Sequence, residues 1–274
     1  MTGVVRVGTA GWVYEPWRGT FYPRGLVQKN ELAHASRQLT TIEINATFRM
    51  NQKPASFEKW ASETPESFVF SVKANQKITH VRRLRDCEAD LAEFFASGPL
   101  ALGSRLGPFV WQLPPTLRYD TASIEAFLAL LPRTARDYVQ LAGQAASGNT
   151  APYLDQTSVE SIRHAIEPRH PSFDTAEFRT LLSKYNVALV LTDTADNPSR
   201  ELTADFAYLR LQGPARPSAM GYEHQDIAAW AGTIEQWRQR GVDVFAYFVH
   251  EDKLHAPANA VALQMALGIT AASN

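Results

Sequence analysis

Residues 40–45 read Thr-Thr-Ile-Glu-Ile-Asn, a short apolar run that breaks at its far end into an acid and an amide with no packing purpose. Working outward, the same pattern recurs at residues 4–12, 68–73, 108–112, 165–170, 187–193, 206–212 and 242–252. The runs end on Asn45, Lys73, Gln112, Glu167 with Arg169, Asp193, Arg210, and His250 with Glu251. Apolar strands separated by helical stretches argue for parallel β/α repeats, and eight of them for a closed barrel. In such barrels the groups at the carboxyl ends of the strands converge on one mouth, where binding or catalysis sits. The expected fold is therefore α/β, a single-domain (β/α)8 TIM barrel spanning residues 1–274.

Amphipathic patterns place helices at residues 28–37, 54–63, 86–96, 121–131, 174–185, 225–240 and 256–267. Pro54 suits a first helical position. Asp120 or Thr121 caps the fourth helix and Asp174 the fifth. The sixth crossover, residues 195–205, is too short for a full helix and opens on a turn-forming Asp196-Asn197-Pro198, so the barrel is expected to be irregular there. Residues 134–161 break the rhythm as an insertion before the fifth strand, with a short helix expected at 136–141.

The bulk composition narrows the classes. At 274 residues and 45% hydrophobic content the chain supports a large core, and its length is ordinary for one such barrel. Lys and Arg number 27 against 28 Asp and Glu, which argues against a protein that mainly coats nucleic acid. The lone Cys87 excludes an internal disulfide and reads as a core or surface thiol. No stretch approaches a membrane span and the start shows no charged-then-apolar leader, so a cytoplasmic protein without membrane partners is expected.

The strand ends carry balanced charge, with Glu43, Glu167 and Asp193 against Lys73, Arg169 and Arg210. An ion-pair network closing the mouth is one reading. The other is a preorganised pocket in which cations hold an anionic group while a carboxylate moves a proton. A divalent metal is disfavoured and no cofactor is expected. His250–His255 reads H-E-D-K-L-H, which misses the H-E-x-x-H spacing, and the neighbouring cations would repel an ion. The dense basic run at residues 79–85, with Lys73 and Lys77, offers a phosphate-binding edge or a solvated turn whose arginines pair with Glu88 or Asp90. His170, held extended before Pro171, is an acid/base or a partner of Glu167. The first loop carries Trp12, Tyr14, Trp17, Phe21 and Tyr22, which either stack on a ligand or plug one end of the barrel. No Gly-rich phosphate loop and no G-x-S-x-G elbow is present.

Seven strings carry a resemblance. They are R-V-G-T-A-G-W at the start, T-I-E-I-N-A-T-F at 41–48, F-S-V-K-A with I-T-H at 70–80, and L-G-P-F-V-W-Q-L-P-P at 106–115. E-P-R-H-P-S-F at 167–173, Y-L-R-L-Q-G at 208–213 and the closing A-Y-F-V-H with P-A-N-A complete the set. Together they strongly resemble the microbial domain of unknown function 72 family, over nearly the whole chain. The resemblance implies an α/β barrel with a polar pocket at Thr9, Trp12, Glu43, Asn45, Lys73, His80, Gln112, Glu167, Arg169, His170, Asp193 and Arg210, and no activity. The chain departs from the family at Gln212, where histidine is usual, at Phe248–Asp252, which puts His250 where an amide is commoner, and in the longer 134–161 insertion.

The leading expectation is an enzyme of hydrolase, lyase or isomerase type acting on a small anionic or sugar-like substrate by acid/base chemistry. Glu43, Glu167, His170 or Asp193 would move protons; Thr9, Trp12, Asn45, Lys73, His80, Gln112, Arg169, Arg210 and His250 would bind. Two alternatives stand beside it. One is a nucleic-acid-binding or phosphodiester-processing barrel resembling endonuclease IV, running Lys77, Arg82, Arg83 and Arg85 along phosphates. The other is a small-ligand sensor without turnover.

Overall fold

A computed structural model describes residues 2–145, 159, 161–193, 200–213, 221–249 and 254–271. Eight parallel strands follow one another around a closed barrel: β1 (Val5–Ala10), β2 (Thr41–Ile44), β3 (Val69–Lys73), β4 (Leu106–Gln112), β5 (His164–Glu167), β6 (Ala188–Thr192), β7 (Phe206–Leu211) and β8 (Asp243–Phe248). Nearly every strand residue is buried, which is why these segments read as continuous apolar runs rather than alternating ones. The (β/α)8 TIM barrel expected from the sequence is the fold.

The helices are α1 (Glu31–Ala35), α2 (Ala46–Arg49), α3 (Pro54–Ser62), α4 (Glu88–Ala96), α5 (Thr121–Leu130), α6 (Ala135–Ala142), α7 (Ala176–Lys184), α8 (His224–Gln239) and α9 (Ala256–Ala266). Four expected boundaries need correction. The first helix is shorter than 28–37, because Gln28–Asn30 form a 3-10 turn. The cap of α7 is Thr175, whose hydroxyl accepts from the Phe178 amide, and not Asp174. The fifth strand stops at Glu167, so Arg169 and His170 stand in the turn beyond it. Finally α2, one turn long, escaped the helical pattern altogether. Asp120 does cap α5, accepting from the Ser123 amide, and α6 falls within the insertion where a short helix was expected. Thr134 and Ser161 form an antiparallel bridge at the base of that insertion. Residues 200–205 of the sixth crossover are non-helical, and 194–199 lie outside the described residues.

Contact density divides the chain into two compact units. The first comprises residues 1–43, 63–69 and 190–274. Its β1 pairs with both β2 and β8, and β8 with β7. Gly8 lies opposite Thr41 in the β1–β2 register, and a Cβ there would overlap the Thr41 carbonyl oxygen, so only glycine permits this approach. The helices α8 and α9 cover this unit with buried Ile234, Trp237, Ala260 and Leu263.

The second unit comprises residues 44–62 and 70–189. Its core is aromatic: Phe94, Phe95, Phe109, Trp111 and Tyr138 are fully buried and meet largely edge to face, the arrangement ring quadrupoles prefer. His164 is the one imidazole in that core. Its Nε2 lies 2.6 Å from the Pro132 carbonyl, and the Trp111 indole N–H donates to its Nδ1 at 3.2 Å. An imidazole that accepts at Nδ1 and donates at Nε2 is neutral. Burial pushes its pKa down to about 4.

Two predictions follow from this packing. The unfolded chain protonates His164 near 6.5 and the folded one near 4, so stability is full above about 6.5 and falls as pH drops through 4. The total loss amounts to roughly 3 kcal/mol. Urea unfolding across that range should show a shallower pH slope for His164→Phe than for the parent; equal slopes would contradict the burial argument. Gly8→Ala should yield protein that fails to fold or melts far lower, read by circular dichroism.

Candidate active site

In the second unit, three adjacent strands end in a hydrogen-bonded chain of polar side chains. Lys73, at the end of β3, donates from Nζ to Gln112 Oε1 at 2.9 Å. Gln112, the last residue of β4, donates from Nε2 to Glu167 Oε2 at 2.8 Å. Glu167, the last residue of β5, accepts from Arg169 Nη2 at 3.0 Å and Nε at 3.2 Å on its other oxygen. The middle of the chain is buried, with Glu167 1% exposed, while the Arg169 side chain is 39% exposed. A carboxylate so placed needs its donors, since an uncompensated charge in this setting is very costly.

Phe48 joins two further groups to this chain. It projects from α2, and the Lys73 ammonium lies 4.3 Å from its ring centroid. The His80 ring meets it edge-on, with centroids 5.1 Å apart. His80 itself sits on a π-helical turn, Lys77–Val81, and its Nδ1 is 2.8 Å from Thr79 Oγ1. Burial first, then the charges of Lys73 and Arg169, push the His80 pKa below its ordinary value, so the ring is neutral at pH 7. Asn45 stands at the N-cap position of α2 without a side-chain capping bond, and its Oδ1 is buried without a hydrogen-bond partner. His170 turns to its own loop: Nδ1 accepts from the Ser172 amide and lies 2.9 Å from the Ser172 hydroxyl, capping the short turn Pro171–Phe173.

The first unit holds a separate set. Glu43 is fully buried and accepts from Tyr208 Oη at 2.8 Å and Arg210 Nη2 at 3.1 Å. Tyr208 and Arg210 share one face of β7 by the period-two rule, and Arg210 is 5% exposed. Asp193, just past β6, accepts the Gln212 amide on one oxygen and the Tyr222 hydroxyl on the other. Burial raises its pKa, and these hydrogen bonds offset that only in part. Thr9 is buried and donates to the Gly11 carbonyl at 3.0 Å. Trp12 is partly exposed, as are Tyr14 and Phe21, whereas Trp17 and Tyr22 are core residues packed on Tyr14, Phe21 and His34. His250 lies outside the described residues.

The structure therefore brings Lys73, His80, Gln112, Glu167 and Arg169 together in one unit, and Glu43 with Arg210 in the other. It leaves His170 engaged with its own loop, and Asp193 with Gln212 and Tyr222 from the segment after β7. Sequence reasoning missed Phe48, Tyr208 and Tyr222. Tyr208 was available from its alternation with Arg210; Phe48 was not, because one helical turn shows no periodicity. Among the described residues no three His, Cys, Asp or Glu side chains gather so as to hold a metal ion, and no helix is long and apolar enough to cross a membrane.

The fold has relatives. A family model described as a protein of unknown function, DUF72, matches residues 6–274. The UPF0759 protein YunF of Bacillus subtilis (strain 168) is 24% identical over 261 residues, covering 89% of this chain and 88% of YunF. The crystal structure of a DUF72 family protein from Thermotoga maritima has a TM-score of 0.72 at 22% identity, over 97% of this chain and 99% of that one. Another, from Enterococcus faecalis, gives 0.71 at 16% identity over 99% of each chain. Likeness at these identities bears on the fold alone. The match of the family model along nearly the full length shows that this chain belongs to the DUF72 family.

Proposed function

We propose that the protein is an enzyme that moves a proton on a small hydroxylated anion held at the ends of β3, β4 and β5. The observation that carries this reading is the neutral His80 ring placed with Lys73 on the face and edge of Phe48. A neutral imidazole under the field of two cations is poised to take a proton from a group whose developing negative charge those cations stabilise. Isomerases, lyases and hydrolases share that step. In this reading Nδ1–H donates to Thr79 Oγ1, which leaves Nε2 as the base. Lys73 and Arg169 hold the anion, and Glu167 and Gln112 keep both cations in place.

Asn45 supplies the preference for a hydroxyl. A buried acceptor left without a donor is expensive, and a ligand hydroxyl would satisfy it. Glu43 takes a different role from the one its strand-end position suggested. Both of its oxygens are bound by buried donors, so it holds its own unit together rather than moving protons.

The nucleic-acid reading would need the basic run free for phosphates. Lys77 and Arg82 instead pair with Asp90, Arg83 binds Thr116, and Arg85 binds Ser123. A sensor without turnover would share the site and differ only in giving no product.

Four outcomes are expected. By calorimetry, gluconate should bind more tightly than acetate, which has the same charge and no hydroxyls. Lys73→Ala should weaken gluconate binding about ten- to a hundredfold with the fold intact. Removing that cation should also raise the His80 pKa, followed by NMR; an unmoved His80 would refute the shared site. Glu43→Ala, by contrast, strands a buried Arg210 and should cost roughly 3–5 kcal/mol of stability in chemical unfolding.

A further inference from the structure

The turn that carries His80 is fastened from behind. Asp90, on α4 and 5% exposed, accepts from Lys77 Nζ at 2.6 Å and from Arg82 Nε at 2.7 Å. Those two cations flank the π-helical turn Lys77–Val81 on either side of His80. Lys77 also lies 3.7 Å from Glu93. Immediately beyond, Arg83, Leu84 and Asp86 adopt φ of 54°, 65° and 47°, the left-handed region that side-chain-bearing residues enter only at a cost. Two of the three strained positions are tied down: Arg83 donates to Thr116 at 2.7 and 3.1 Å, and Leu84 is buried. Their neighbour Arg85 donates to Ser123 at 3.2 Å.

Single π-turns are rare and concentrate at functional sites, and strained backbone persists only where the surroundings over-determine it. Here both features meet on the ten residues that present one imidazole. The basic residues of this segment thus serve as fasteners.

We propose that Asp90 is the positioning residue of the candidate site: by gripping Lys77 and Arg82 together, it locks the π-helical turn and fixes where His80 stands against Phe48. This rests on the reading of His80 as the base of the site. Asp90 touches no substrate in that reading and acts through the turn alone. Burial works to raise its carboxyl, but hydrogen bonds and charge from Lys77 and Arg82 outweigh it and hold the pKa below the ordinary carboxylate range. The clamp is therefore charged throughout the neutral range.

The charged groups that depress His80 are Lys73 and Arg169, acting together with burial. This allows a test by sign. Removing a nearby negative charge, with the geometry unchanged, lowers a histidine pKa. A turn that releases His80 raises it, because the ring leaves both its burial and the two cations.

The experiment is NMR titration of the His80 ring, without ligand, in Asp90→Asn and Asp90→Glu. The expected result is an upward shift toward 6.5 in Asp90→Asn, with Asp90→Glu restoring the parent value. An unchanged or lowered pKa in folded Asp90→Asn overturns the proposal. Should that variant not fold, Lys77→Gln and Arg82→Gln each remove one exposed partner. Because losing a cation by itself raises a histidine pKa, the readout in these two is the NOE between the His80 and Phe48 rings; weakening is expected, and an unchanged NOE in both overturns the proposal. The titration needs no ligand, so its outcome is separate from that of the gluconate measurements on the anion site.

Discussion

A carboxylate taken out of water has to be given its hydrogen bonds back, and each compact unit of this barrel is arranged around one that has been. Glu43 receives Tyr208 and Arg210; Glu167 receives Gln112 and Arg169. Neither acid is dispensable where it stands, because removing a partner strands an ion in a place that solvates it poorly. That constraint explains why polar residues cluster at strand ends that could otherwise have been apolar. It also separates the two acids. The donors to Glu43 are themselves buried. The donors to Glu167 lead outward, through Gln112 to Lys73 and through Arg169 to solvent.

The second unit sets a cation and an imidazole against one aromatic ring. Phe48 carries an ammonium 4.3 Å from its ring centroid and an imidazole at 5.1 Å. The lowered pKa of His80 comes first from burial and then from the charges of Lys73 and Arg169. The strain stored between Arg83 and Asp86 belongs to the same economy of preorganisation: rigidity at the site is obtained from ion pairs on its far side.

Much of this was legible in the chain itself. All eight strands were located by their apolar runs, and most of the described polar residues that end them are found paired, Asn45 Oδ1 being an exception, because a parallel sheet covered on both faces leaves polarity nowhere else to go. The pairing of Arg82 with Asp90 was among the readings offered for the basic run. What the sequence withheld was local and conformational. The single turn of α2 that carries Phe48 is too short for a 3.6-residue period, and a π-turn has no residue signature. His164 looked like any strand residue, yet it is the polar brace of an aromatic core. The strand-end rule also named Asp193 and His170, and each accepts a hydrogen bond from a backbone amide.

The bridge between Thr134 and Ser161 has a consequence of an evolutionary kind. Chain that leaves the barrel at Thr134 comes back beside it at Ser161, and the Ile162 amide bonds the Arg133 carbonyl at 2.9 Å just below. Whatever number of residues is spliced between those points, the barrel meets the same two ends at the same separation. The entropic cost of a longer loop grows only logarithmically. Descent within the family can therefore lengthen, shorten or decorate this excursion without renegotiating β4 or β5. For the same reason it is the natural port at which to graft a reporter or a second domain.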